Sequence, residues 1–406
     1  MFTMYGKGAY LSRMNWNDYD CLIIGSGFAG AVAARELAER GNRKVLVLER
    51  RNHTGGNAYD CPDESGILIH RYGPHIFHTN TKRVFDYLSR FTEWRVYEHK
   101  VAGNVHGQLM PIPFNLHSLY KAFASDKAAL LEQKLLASYG AGRKVTILEL
   151  KENPDPDLSA LAEYVYENIF VYYTQKQWGV KPEEIDPLVT ARVPIVLSRD
   201  DRYFQDVYQG IPRNGYAALF HRMLDHPNIR VLLNTEAGSV LHFENNTVFL
   251  SGTHFPKPVI YTGAADELFG CRFGRLPYRT LDFQFETQNV TWYQAYGTVN
   301  YTGDRPYTRI TEFKRLTGQN LEGKTTIAKE YSRPYTGENG EIPYYAILNP
   351  KNLEQYQRYR DLSAALPRFH LLGRLAEYKY YNMDAIVHQA LLLADRLMEE
   401  QENESV

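Results

Sequence analysis

Tyr19-Asp20-Cys21-Leu22-Ile23-Ile24-Gly25-Ser26-Gly27-Phe28-Ala29-Gly30 carries an apolar run straight into a G-x-G-x-x-G turn. Each glycine meets a separate steric demand: Gly25 for the tight bend, Gly27 so that backbone can approach a pyrophosphate, Gly30 so that the following helix can pack on the strand. Residues 29–40 read as that helix, closed by Gly41, and Lys44-Val45-Leu46-Val47-Leu48 as the next strand. Glu49 falls 19 residues after Gly30, where an acid at the end of the second strand holds a ribose hydroxyl pair. A glycine turn with no ligand needs none of these accompaniments. The stretch is therefore read as a dinucleotide site touched by Gly25, Ser26, Gly27, Phe28, Ala29, Gly30 and Glu49.

Arg50-Arg51-Asn52-His53-Thr54-Gly55-Gly56-Asn57 then brings a second glycine pair close to the ligand. An extended flavin dinucleotide uses such a second approach and NAD has no particular need of it, so the expected cofactor is FAD, with Arg50, Gly56 and Asn57 beside it.

A chain of 406 residues is long enough for two or three domains at about 150 residues each. Lys+Arg 46 against Asp+Glu 47 leaves a net charge of −1, so no basic field favours nucleic acid or an anionic membrane, and any anionic ligand must be met by local arginines. Cys21, Cys61 and Cys271 are odd in number and far apart, which argues against a disulfide framework and a zinc site; reduced thiols and a cytoplasmic location are expected, and no metal. The first 18 residues lack a signal-peptide pattern and no apolar run of about 18 residues occurs, so membrane insertion is not expected. Tyrosine, with 31 residues, is the compositional outlier; its rigid apolar face and polar tip suit bases, sugars and phosphates, although half-buried packing accounts for most of them.

Further along, Arg71-Tyr72-Gly73-Pro74-His75-Ile76-Phe77-His78-Thr79-Asn80 is a Gly-Pro loop with two histidines, read as bordering the flavin rather than a metal. Residues 96–113 alternate as a small hairpin sheet with a Gly-Asn and a His-Gly turn; 116–150 are helical around a Gly140–Gly142 break, and 158–173 form a second helical stretch ending near Trp178-Gly179. Residues 210–234 read as turn, helix and strand, returning the chain to the nucleotide fold, with one more strand at 259–263. Residues 276–347 read as antiparallel sheet. The chain ends on strand 369–372, Gly373, Arg374 and a helix from Asp384 whose Ile386, Ala390, Leu393 and Leu397 share a face. That helix N-terminus, aimed at the flavin, would favour negative charge there.

Six stretches in order, namely Gly-Pro-His-Ile-Phe-His-Thr at 73–79, Tyr173-Thr-Gln-Lys-Gln-Trp-Gly179, Thr190-Ala-Arg-Val-Pro194, Arg199-Asp-Asp-Arg-Tyr-Phe204, Tyr278-Arg-Thr-Leu-Asp-Phe283 and Tyr307-Thr-Arg-Ile-Thr-Glu312, resemble bacterial UDP-galactopyranose mutase. The likeness runs from about Tyr19 onward. It implies an α/β fold: an FAD-binding Rossmann-like domain in three segments (18–92, 213–270 and 366–406), a helical domain (115–191) and a six-stranded antiparallel sheet domain (93–114, 192–212 and 271–365), with 1–17 an N-terminal extension. It implies an isomerase that interconverts UDP-galactopyranose and UDP-galactofuranose without net redox change, working only when the FAD is reduced. Flavin N5 is then the nucleophile at the anomeric carbon and UDP the leaving group.

By the same resemblance Arg192 and Arg309 hold the departing diphosphate, a task suited to a permanently charged, two-pronged guanidinium. Tyr203, Tyr345 and Tyr380 add hydroxyl donors; Phe170, Tyr173 and Thr174 take the uracil, and Trp178 lies beside the sugar. His75 and His78 border the flavin and the sugar, Ile76 accompanies them, and Gly373, Arg374, Tyr380, Met383 and Asp384 complete the cofactor set. Asn382 stands where the family often has an acid, which leaves positioning but no proton transfer. A lid between Trp178 and Arg192 is expected from Gly179, Pro182, Asp186 and Pro187. The resemblance also implies a role in supplying cell-wall polysaccharide, and a homodimer is the default expectation. No second nucleotide fingerprint names the reductant. The same glycine turn occurs in amine-oxidase-like FAD oxidoreductases, which would want an apolar pocket at the flavin, and in binding proteins of the GDP-dissociation-inhibitor type, which need no flavin.

Overall fold

Cys21–Ile24 and Val45–Leu48 are apolar at every position because both faces of the sheet they form are covered. In the computed structural model, which describes residues 14–179 and 194–404, they lie in a five-stranded parallel sheet with strand order Ile229–Leu232, Val45–Leu48, Cys21–Ile24, Val259–Tyr261, Phe369–Leu371. Cys21, Ile23, Val45 and Val47 point into a core made with the helices Phe28–Glu39, Gly215–Leu224 and Met383–Glu404. Leu22, Ile24, Leu46 and Leu48 point to the other side, against Ala237, Val240 and the three-stranded meander Leu241–Glu244, Thr247–Leu250, Thr253–His254. The sheet thus draws its strands from three separate parts of the chain. Ile386, Ala390, Leu393 and Leu397 are buried together on the last helix. Cys21, Cys61 and Cys271 are free thiols.

The helix Gly215–Leu224 begins on a glycine with φ +82° and is capped from another element. Asp60 accepts from the backbone N–H groups of Tyr216 at 2.6 Å and Ala217 at 2.8 Å. Burial raises its carboxyl to about 6, outweighing the two N–H donors that favour the charged form. A carboxyl whose folded value lies above its unfolded one contributes stability that is fully present below the unfolded value and is lost as pH rises through the folded one. Asp60→Asn, which removes the titration but keeps an acceptor, is expected to flatten the loss of stability between about pH 4 and 6; urea melts across that range check it.

The second sheet is larger than expected. The resemblance implies six antiparallel strands; among the described residues there are seven, in the order Tyr345–Ala346, Tyr278–Gln288, Thr325–Pro334, Arg309–Glu312, Thr298–Tyr301, Val101–Val105, Gln108–Ile112. One pair, Thr298–Tyr301 with Val101–Val105, is parallel. Val101–Val105 arrives from a distant part of the chain, so no tight hairpin forces it to run antiparallel. Of the two turns expected at 96–113, His106-Gly107 is one, with φ of +51° and +89°, while Gly103-Asn104 lies inside the strand. Trp94–Val96 instead joins Tyr208–Pro212 and Phe77–Thr79 in a small sheet of its own.

The helical region is cut more finely than the composition indicates. Leu116–Ala122, Ser125–Tyr139, Ile147–Lys151 and Pro156–Val165 enclose one core, starting respectively at an Asn115–Ser118 capping box, at Ala124, at Thr146 and at Asp155 with Pro156 in the first turn. Tyr166–Val171 is then π-helical and leads directly into Tyr172–Trp178, closed by Gly179 at φ +76°. Arg192 and residues 180–191 of the lid expected before it lie outside the described residues.

Candidate active site

The first glycine turn behaves as its spacing demands. A Cβ on Gly25 would lie 2.1 Å from Thr262 Oγ1, and one on Gly30 would lie 1.9 Å from the Gly25 carbonyl oxygen. At Gly27 the nearest atom would be 3.7 Å away, in Gly56, so its open side is kept for a ligand. The Gly55-Gly56 pair packs against this turn, with the Gly55 N–H donating to Ser26 O at 3.0 Å. Between these backbones runs a groove of about 260 Å³ lined by Gly25, Ser26, Gly27, Phe28, Ala29, Glu49, Arg50, Gly56, Asn57 and Gly373, among others. Glu49 is held at its head by Ser26 N–H at 2.9 Å, Ser26 Oγ at 2.7 Å and Arg51 N–H at 2.9 Å.

Arg51, which the sequence reading passed over for Arg50, also lines the groove. It donates to Asn57 Oδ1 at 2.8 Å and lies 4.2 Å over the Tyr72 ring, while its Nη1 is buried with no hydrogen-bond partner. Arg50 is exposed and pairs with Glu267 at 3.2 Å. An open glycine, a fixed acid and an unpartnered guanidinium nitrogen along one groove fit an extended, negatively charged dinucleotide.

A second cavity, of about 450 Å³, adjoins the first. Asn57, His75, Tyr344, Arg374, Asn382 and Met383 line both. Arg374 stands at this shared wall, donating to Tyr381 O and lying over the Tyr380 ring at 4.8 Å and the Tyr345 ring at 5.6 Å. Met383 opens the last helix there, so the helix N-terminus meets the junction. Asp384 lines neither cavity; its carboxylate accepts from Thr79 Oγ1 at 3.0 Å.

His75 is neutral: burial lowers it to about 4, with Arg374 adding to the effect and the Gly73 carbonyl opposing it. Its Nδ1 meets Gly73 O at 2.8 Å and therefore carries the proton, leaving Nε2 as an acceptor. Its backbone is held on both sides, N–H by His70 Nδ1 at 2.9 Å and C=O by the Tyr216 hydroxyl at 3.1 Å. His78 and Ile76 line the second cavity only; His78 pairs with Asp206 at 3.0 Å and stacks on Phe204.

The floor of the second cavity is one face of the seven-stranded sheet. Asn300 stands opposite Arg309 and Arg309 opposite Glu330, so the three side chains share a face, with Thr298 one step along. Arg309 Nη2 donates to the Tyr173 hydroxyl and its Nε lies 3.5 Å from Glu330 Oε1. Burial works against its charge, but Glu330 and the surrounding tyrosines outweigh burial and hold the guanidinium firmly protonated. Tyr345 stacks on Tyr380 at 5.6 Å and meets Trp178 at 5.7 Å. Burial pushes the Tyr173 and Tyr345 hydroxyls well up, so both remain donors. Tyr203 lines the cavity with its N–H on His99 O at 2.7 Å.

Thr298 Oγ1, Asn300 Oδ1, Gln177 Oε1 and Arg309 Nε are buried without a hydrogen bond, and all four residues line this cavity. Buried polar atoms left unpaired in one cavity mark a place for a polar ligand. Thr298, Asn300, Gln177, Glu330 and the neutral, buried His99 escaped the sequence reading; only the period-two spacing of Thr298 and Asn300 hinted at a shared face. Phe170 is packed in the helical core and Thr174 is buried; neither lines the two cavities described. Among the described residues no cluster suits a metal ion, and no helix is long and apolar enough to cross a membrane.

A family model described as UDP-galactopyranose mutase matches residues 168–380, and one described as an NAD(P)-binding Rossmann-like domain matches 23–91. The chain is similar to the UDP-galactopyranose mutase of Mycoplasma pneumoniae, 36% identical over 96% of this chain and 99% of that one. It is also similar to the dTDP-fucopyranose mutase of Escherichia coli, 36% identical over 91% of this chain and 96% of that one. Among solved structures, a reduced UDP-galactopyranose mutase superimposes with a TM-score of 0.70 at 16% identity, covering 94% of each chain.

Proposed function

The chain belongs to the UDP-galactopyranose mutase family, and from that premise we propose that it interconverts UDP-galactopyranose and UDP-galactofuranose with a flavin held in the glycine-lined groove. The observation that carries this reading is the shared wall. A groove fitted to a dinucleotide opens, through His75, Arg374 and Asn382, onto a cavity whose half-buried arginine and tyrosines fit a sugar diphosphate. An oxidase cavity would be apolar at that wall.

Reduced FAD bound there supplies a nucleophilic nitrogen, so no redox change need appear in the product. The chain's residues do the rest. Arg309, with Tyr203, Tyr345 and Tyr380, holds the diphosphate while it is detached and returned, and the resemblance adds Arg192 to that clamp. Tyr173 steers the guanidinium and Trp178 walls the sugar. His75 offers an acceptor and no charge, and Asn382 positions without moving a proton. The helix N-terminus at Met383 favours negative charge at the junction. We further infer that 18–92, 213–270 and 366–406 act as the FAD-binding domain, with the helical and sheet domains enclosing the substrate between them.

The test is the conversion of UDP-galactofuranose by the purified, flavin-loaded protein, with dTDP-fucofuranose assayed in parallel. UDP-galactopyranose is expected to form with dithionite-reduced protein and not with oxidised protein. Equal rates in both redox states would sink the reading, and turnover of the dTDP sugar alone would reassign the substrate.

A further inference from the structure

Lys176 lies on the helix Tyr172–Trp178, three residues after Tyr173 and two before Trp178, yet it lines neither cavity. Its ammonium meets four backbone carbonyls at the turn that joins Thr298–Tyr301 to Arg309–Glu312: Tyr301 at 2.5 Å, Gly303 at 3.0 Å, Arg305 at 3.1 Å and Tyr307 at 3.3 Å. This turn delivers Asn300 at one end and Arg309 at the other. The helix is anchored separately: Arg279 donates to Lys176 O at 3.2 Å and Gln177 O at 3.1 Å, and Ser332 Oγ to Gln177 O at 2.7 Å. The contacts close a ring, from Tyr173 to Arg309, through the turn to the Lys176 ammonium, and back along the helix to Tyr173.

We propose that Lys176 is a positioning residue of the diphosphate site, its ammonium tying the turn to the helix so that Arg309 and Tyr173 are presented together to the substrate. Resting on the reading above, this assigns to the lysine of the helix a task that neither cavity displays. Four carbonyl dipoles converging on one point repel one another unless a cation sits between them, and charge-assisted hydrogen bonds are the stronger kind. Without the charge, the turn has no reason to close on the helix, and Arg309 loses its fixed distance from the rest of the clamp.

The charge is also removable. Burial lowers the Lys176 ammonium to about 8, with Asp304 opposing the effect. The other titratable groups around it are Tyr301, Arg305 and Tyr307 of the turn, Arg279 from the strand beneath the helix, and Tyr173 and Arg309 at the site. Burial pushes Tyr301 up to about 12 and raises Tyr173 as well, so neither titrates between pH 7 and 9.

The experiment measures the dissociation constant of UDP by quenching of flavin fluorescence in the holoenzyme, alongside kcat and KM. Lys176→Met is expected to weaken UDP at least tenfold and to lower kcat/KM by at least the same factor, with FAD content unchanged. UDP affinity of the wild type is expected to fall severalfold between pH 7 and 9, and that fall to vanish in K176M. A K176M protein that binds UDP within twofold of wild type overturns the proposal. Should Lys176→Met yield no holoenzyme, Lys176→Gln takes its place, and UDP affinity within twofold of wild type in that variant overturns the proposal. Wild-type protein that fails to bind UDP at all overturns the functional reading instead.

Discussion

Arg309→Ala is expected to lower kcat/KM for UDP-galactofuranose by about three orders of magnitude or more while FAD stays bound. A preorganised donor aimed at developing negative charge contributes about 10²–10³ in rate, and a guanidinium presents more than one such donor. The residue also has a structural partner. Glu330, whose side chain is 3% exposed, lies 3.5 Å from Arg309 Nε and otherwise accepts from Thr308 Oγ1 at 3.2 Å. Truncation therefore leaves a buried carboxylate without its cation, which costs about 3–5 kcal/mol of stability. The two losses are separable. Glu330→Gln placed in the Arg309→Ala background is expected to recover most of the thermal stability and none of the activity. Recovery of turnover by the double variant would mean that Arg309 acts only by neutralising Glu330. Flavin absorbance of each variant checks that the groove is intact, and loss of flavin would put Arg309 in the wrong site.

The parallel sheet was legible because its strands are buried on both faces and so carry unbroken apolar runs, and because the glycines between them answer to local sterics. His75, Trp178, Arg309 and Arg374 were legible through the family's motifs. What escaped depends on register and on pairings far apart in sequence. Asn300 joins the site because it stands opposite Arg309, and Glu330 because it stands on Arg309's other side; neither strand announces its partner. The seventh strand and its parallel pairing are missed for the same reason. Phe170 shows a different limit. It lies on the π-helical turn Tyr166–Val171, where each turn takes more residues than in an α-helix. Phe170 packs in the helical core, while Tyr173, Gln177 and Trp178 line the second cavity. No feature of the residue pattern at 166–171 marks that change of period.

The three glycines of the first turn serve packing and ligand in different measure, and their substitution is expected to divide accordingly. Gly30→Ala sets a methyl 1.9 Å from the Gly25 carbonyl oxygen and 3.1 Å from Ile23 Cγ2, with backbone on one side and a buried strand on the other. Neither can move without parting the helix Phe28–Glu39 from Cys21–Ile24 at the centre of the sheet. Several kcal/mol are at stake, as for other overpacked or strained core positions, and soluble protein is expected to be scarce and colourless. Gly27→Ala places its methyl 3.7 Å from the nearest atom, an ordinary contact, at a φ of −72° that alanine adopts freely. Its far-UV circular dichroism and urea midpoint, measured on protein stripped of flavin, are expected to match those of wild-type apoprotein. Its FAD affinity is expected to drop by at least tenfold, because the methyl then occupies the side from which a pyrophosphate approaches. Unchanged FAD affinity in Gly27→Ala would show that the pyrophosphate lies elsewhere along the groove, whatever Gly30→Ala does to the fold.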